Sequence, residues 1–255
     1  MSPRRLIALS CLVTLVACAA ELEEEPTGEV TPELIIFNSL SWLDLSPNLP
    51  LAYQVIAAPL RPSPQTALLV DTASGYRVLT YLVGCGLPAG RRVWLPNSAG
   101  VPKPFDGQIG FAPGWSASAP TPVEQTWIMG CIAARENALG VRIELDLRAL
   151  HPALQPFSPG YTQEDGGFWA DPVTKTLMSC RGEGHVQMCG EDDESWGKRT
   201  CDESDPRCPM IYCGRCSKIC TPGPNGTKPD CTCDKKVYKQ VEMAFLKAGT
   251  FYGCD

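Results

Sequence analysis

Thirteen residues, "CPMIYCGRCSKIC" from Cys208 to Cys220, carry four thiols, and thiols at such spacing do one of three things. They bind a metal, exchange electrons, or cross-link the chain. Cys213 and Cys216 form a C-x-x-C, and Cys231 and Cys233 form a C-x-C after fourteen intervening residues. In a reducing compartment that pattern reads as a zinc ribbon. A thioredoxin-like role for C-G-R-C needs the motif to end a strand and open a helix in a βαβ unit. Pro209, Tyr212 and the crowded neighbouring cysteines do not supply that setting.

Other chemistry is sparse. The two histidines are His151, before Pro152, and His185, in the loop "CRGEGHVQMC"; each reads as a surface histidine. Neither a G-x-S-x-G elbow nor an H-E-x-x-H helix is present. Ser195 and Lys198 match S-x-x-K, but its companion motifs are missing. Glu191, Asp192, Asp193 and Glu194, with Asp202, Glu203 and Asp205, offer oxygens to calcium. Calcium needs 6 to 8 of them converging through a glycine turn, and without that order a solvated acidic loop is the stronger reading. Trp115, Phe168 and Trp169 are the candidate binding aromatics, because exposed rings stack sugars or anchor partners. No residue is assigned to catalysis, and no metal or cofactor is expected.

The amino terminus decides what the thiols do. Arg4 and Arg5 precede an apolar run from Leu6 to Ala17, too short to span a bilayer and built as an export signal, residues 1–17. "LVAC" at Leu15–Cys18 resembles a bacterial lipobox, which implies lipid attachment at Cys18. More than one acyl chain, at about 0.8 kcal/mol per buried methylene, makes such anchoring lasting. Residues 18–32 are rich in Glu, Pro and Thr and read as a disordered tether. Removing Arg4 and Arg5 leaves 20 basic and 28 acidic residues. An acidic chain without a basic stripe argues against nucleic acid as a partner.

Of fourteen cysteines, Cys11 leaves with the signal and Cys18 takes the lipid. Twelve remain, an even number in a chain sent to an oxidising compartment, and six disulfides are the expectation. They are Cys85, Cys131, Cys180, Cys189, Cys201, Cys208, Cys213, Cys216, Cys220, Cys231, Cys233 and Cys254. Cys85 and Cys131 stand apart from the rest and are expected to bridge two helices. The dense remainder divides the chain into an α+β core domain, residues 33–176, and a cysteine-rich disulfide module, residues 177–255.

The elements that must position these residues follow from periodicity. Thr121, Pro122 and Glu124 form a capping box, with Val123, Trp127, Cys131, Ala134 and Ala138 on one helical face and Gly140 as the stop. Val141, Ile143, Leu145 and Leu147 then alternate with charged residues, a half-buried strand with its charges in water. Asp71 reads as the N-cap of a helix bearing Tyr76, Val78, Leu79, Leu82 and Val83. "ELIIFNSL" and "AYQVIAAPL" read as strands, "RRVWL", "GQIGFAPGW" and "PNSAGVPKPFDG" as short strands and loops, and the lysine-rich tail as an amphipathic helix around Val237, Val241 and Phe245, pinned by Cys254. Mixed but not alternating elements give α+β.

"GQIGFAPGW", "QTWIMGCIAARENALGVRIELDLR" and "GGFWADP" resemble secreted cysteine-rich lipoproteins of myxobacterial type, a group with no assigned activity. The resemblance implies an exported surface protein and transfers no site residue. The reading is a lipid-anchored protein of the bacterial envelope, at the outer membrane or cell surface, that binds a protein or glycan partner without catalysis. The alternative is an exported hydrolase.

Overall fold

The computed structural model describes residues 35–137, 142–184, 201 and 205–249. Cys18, Val141, His185, Cys189, Ser195, Lys198, Asp202, Glu203, Cys254 and the acidic run 191–194 lie outside them, as do the export signal and the tether.

The fold is α+β. Its centre is a six-stranded sheet in the order β1 (Ile35–Asn38), β4 (Ile143–Arg148), β10 (Glu242–Lys247), β5 (Tyr161–Asp171), β6 (Thr176–Arg181), β7 (Met210–Arg215). All neighbours run antiparallel except β6 and β7. Helices α1 (Trp42–Ile56), α2 (Pro64–Val70), α3 (Ala73–Gly86) and α4 (Pro122–Arg135) pack with Leu145, Leu147, Phe168, Ala170, Leu177, Ala244 and Leu246 in one core. Trp169, Met178, Cys180, Met243 and Phe245 point the other way. There they meet Cys216, Cys231, Cys233 and Val241, from the short helix α5 (Cys216–Ile219), β8 (Asp230–Cys233) and the lead into β10. The sheet is thus a middle layer between helices and a disulfide-bonded cap. A separate ribbon of β2 (Arg92–Pro96) and β3 (Pro102–Asp106) completes the elements, with β8 and β9 (Lys236–Lys239) forming a second ribbon.

Several expectations change. The boundary at residue 176 does not divide the sheet, because β10 from the cysteine-rich stretch inserts between β4 and β5. Density of cysteines marks where staples are needed and carries no information about which strands pair. The tail is two strands, not a helix: the polar pair Asp234 and Lys235, both at positive φ, reverses the chain into β9. Strand pairing on both sides of β10 then outweighs the local helical spacing. "AYQVIAAPL" forms the second half of α1 through Ile56. Pro47 and Pro50 suggest a break upstream, yet both rings lie exposed on the solvent side of α1. There, water can bond the carbonyls of Leu43 and Ser46 that each proline leaves without its donor.

The N-cap of α4 is as expected: Thr121 Oγ1 accepts from the Glu124 amide, and Glu124 Oε2 accepts from the Thr121 amide at 2.6 Å. The helix ends at Arg135, short of the expected face position Ala138 and stop Gly140, which lie outside the described residues. For α3 the cap is Thr72, which accepts from Gly75 N–H at 3.0 Å. Asp71 instead closes α2 and accepts from Ser98. "GQIGFAPGW" satisfies the end of α3: amides from Gln108 to Ala112 donate to the carbonyls of Gly84, Cys85 and Gly86 at 2.8 to 3.2 Å. These orphan acceptors would otherwise be buried without a partner. The expected Cys85–Cys131 disulfide is present and ties α3 to α4.

Candidate functional site

The aromatic candidates are buried. Trp115 lies against Gly86, where a Cβ would stand 2.5 Å from its ring, and its Nε1–H donates to Ala58 O at 2.9 Å. It wedges the ends of α1 and α3 together. Phe168 and Trp169 occupy opposite faces of β5, in the two cores. None of the three forms a binding surface, which corrects the sequence reading; alternation along a central strand puts both neighbours inside when both faces are covered. Among the described residues the exposed tryptophan is Trp94, in "RRVWL". It stands on the outer face of the β2–β3 ribbon opposite Pro104, near the Arg92–Asp106 ion pair. Strand alternation against Val93 and Leu95 was the signal for it.

His151 is a structural residue. Its Nδ1 accepts from Ala153 N–H at 3.1 Å. Its ring meets Phe111 and Trp127 edge-on at 4.8 and 5.3 Å. Burial pushes its pKa down, with Glu124 pulling weakly the other way. The charged side of β4 meets water at Arg142 and Glu144 but is covered at its far end, at Asp146 and Arg148. Arg148 Nε donates to Asp146 Oδ2 at 2.8 Å, and its other nitrogens donate to the carbonyls of Asn225, Ser158 and Tyr161. Its guanidinium lies 4.0 Å from the Phe245 ring centre. This clasp fastens the cap to the sheet.

Two recesses flank the turn from β9 to β10, one on each side of Lys239 and Gln240. The first, about 340 Å³, is lined by Trp127, Leu150, Lys228, Asp230 and Val241 along with the turn. The second, about 280 Å³, lies between Ala170–Pro172 and the continuous backbone of residues 236–240. Gln240 holds the turn at φ +59°. Lys236 Nζ donates to Asp171 Oδ2, and Asp171 also accepts from Val173 N–H at 3.0 Å. Burial raises the Asp171 pKa, but Lys236 and the amides of Thr174 and Val173 outweigh it and hold the carboxyl below its ordinary value. Its partner Lys236 is raised in turn by the hydrogen bond to Asp171.

The lining of these recesses sets exposed aliphatic surface at Leu150 and Val237 beside Lys239, the Lys236–Asp171 ion pair and Lys228, whose ammonium lies 3.9 Å from Glu164 Oε2. Among the described residues β9 pairs only with β8, so its second edge offers main-chain donors and acceptors. The sequence reading placed Lys236 and Lys239 around a helix and missed the edge. Comparison of the chain with protein-family profiles, curated proteins and solved structures gave no match.

The described residues hold five disulfides: Cys85–Cys131, Cys180–Cys216, Cys201–Cys208, Cys213–Cys233 and Cys220–Cys231. The C-x-x-C is thereby split, its first cysteine joined to β8 and its second to β6. No helix among the described residues is long and apolar enough to cross a membrane.

Proposed function

We propose that this is an exported protein, anchored by lipid at Cys18 to the bacterial outer membrane or cell surface. In this reading it binds an extended, acidic and partly apolar protein segment along β9 without catalysing a reaction. The observation that carries it is the β9 edge, unpaired among the described residues and bordered by Lys239 and the Lys236–Asp171 ion pair, with Val237 and Leu150 exposed beside it. An added strand takes affinity from main-chain hydrogen bonds and specificity from alternate side chains, and lysines favour an acidic partner. Export is supported by the signal at residues 1–17 and by five disulfides, which persist in oxidising compartments.

Displayed random peptides panned on the immobilised protein test the site. Enriched peptides should be acidic with alternating apolar residues, should bind more weakly in high salt, and should lose binding to V237D or K239E. Enrichment of neutral peptides indifferent to both substitutions, or binding on a glycan array with no peptide enriched, contradicts it.

A further inference from the structure

Cys180 lies in β6, Cys216 opens α5, Cys220 follows α5, and Cys231 lies in β8. They make two disulfides, and these two touch. Cys180 Sγ is 3.7 Å from Cys220 Sγ, and the sulfurs of Cys180, Cys220 and Cys231 all lie within 4.8 Å of one another. Three of the four residues are fully buried and Cys220 is half-buried. Gly167 of β5 makes the room: a Cβ there would stand 2.8 Å from Cys180 Sγ and 3.4 Å from Cys216 Sγ.

Backbone contacts also join the segments that carry these sulfurs. β6 is paired on both sides, Cys220 N–H donates to Cys216 O at 3.0 Å, and Cys220 and Cys231 face each other as a β-bridge. Thr221 N–H adds a bond to Asp230 O at 3.0 Å.

Four thiolates about 2.3 Å from a zinc ion have neighbouring sulfurs about 3.8 Å apart in a tetrahedron. The contact between the two disulfides already has that length. The geometry points to a redox-gated site for one thiophilic divalent cation such as Zn²⁺, held by Cys180, Cys216, Cys220 and Cys231 when both disulfides are reduced. Each disulfide takes two electrons and two protons from a dithiol, which is left as its own disulfide. The four thiols release four protons as the cation binds. In the reverse direction, two disulfide oxidants accept four electrons from the thiolates and four protons from solvent and become dithiols, the two bonds re-form and the ion leaves. The set differs from the ribbon pattern in the sequence, because Cys213 and Cys233 pair with each other and stand outside it.

Cysteine-by-cysteine alkylation of the mature chain tests this under argon. The chain is reduced with a phosphine, which leaves as its oxide, and pulsed with iodoacetamide in Zn²⁺ or in EDTA. Zinc should slow labelling of these four cysteines about tenfold or more and leave Cys201, Cys208, Cys213 and Cys233 unchanged. Cobalt should add one equivalent of sulfur-to-metal charge-transfer absorption, lost in C180S/C220S. Equal labelling of all cysteines, including that of a reduced chain that fails to hold its fold, overturns the site. So does protection of Cys213, Cys216, Cys231 and Cys233 instead.

Discussion

Glu242 begins β10 with its carboxyl shut between the sheet and α4. It is fully buried, and the Cβ of any residue replacing Gly130 would stand 2.9 Å from Oε1. Neither oxygen accepts a well-formed hydrogen bond. Burial therefore pushes its pKa well up, offset only slightly by the Cys131 amide. A carboxyl raised in the folded state supports the fold fully below its unfolded pKa. That support is lost as pH rises toward the folded value. The urea midpoint of E242Q should therefore gain on the parent chain from about pH 5 to pH 8, by no more than about 1.4 kcal/mol per pH unit. A difference that stays constant with pH would show that Glu242 is ionised in the fold. This residue was illegible in the sequence: "QVEMAF" reads as one solvent-facing glutamate until β10 is known to be central. Arg148 failed likewise, since strict alternation gave its face correctly but could not show that the cap covers that face.

At the scale of elements, what was legible was local. The capping box of α4, the apolar stripe of α3 and the alternation of β4 are set by neighbours within a turn or a strand, and each stands where its residues place it. What was missed depends on distant partners. α1 keeps its helix through Pro47 and Pro50 because Leu45, Ala52, Tyr53 and Ile56 bury against the core, and β9 and β10 are strands because they have strands to pair with. The Cys85–Cys131 link is the one long-range contact that arithmetic alone supplied. It closes a loop of 46 residues between α3 and α4, a constraint that contributes about 3 to 4 kcal/mol in the chain-entropy model. C85A/C131A should unfold at lower denaturant by about 2 to 5 kcal/mol. An unchanged midpoint would mean that the helices hold each other without it.

Across the whole molecule, the disulfides of the cap replace apolar core. On the helical side Trp115, Phe105, Phe111, Phe168 and many aliphatic residues fill the space beneath the sheet. On the other side the cluster is small and four of its ten buried members are half-cystines. A cap so thin needs covalent closure to persist, and covalent closure needs an oxidising compartment. The fold is consistent with the proposed export, and the proposal adds lipid at Cys18 to a chain whose described cysteines are staples. Mass mapping of the protein extracted from cell envelopes, alkylated without reduction, tests this most directly. The account predicts Cys85–Cys131, Cys180–Cys216, Cys201–Cys208, Cys213–Cys233 and Cys220–Cys231 as linked peptides, with an acylated fragment beginning at Cys18. Free thiols at these ten positions, or an amino-terminal fragment without lipid, would contradict it.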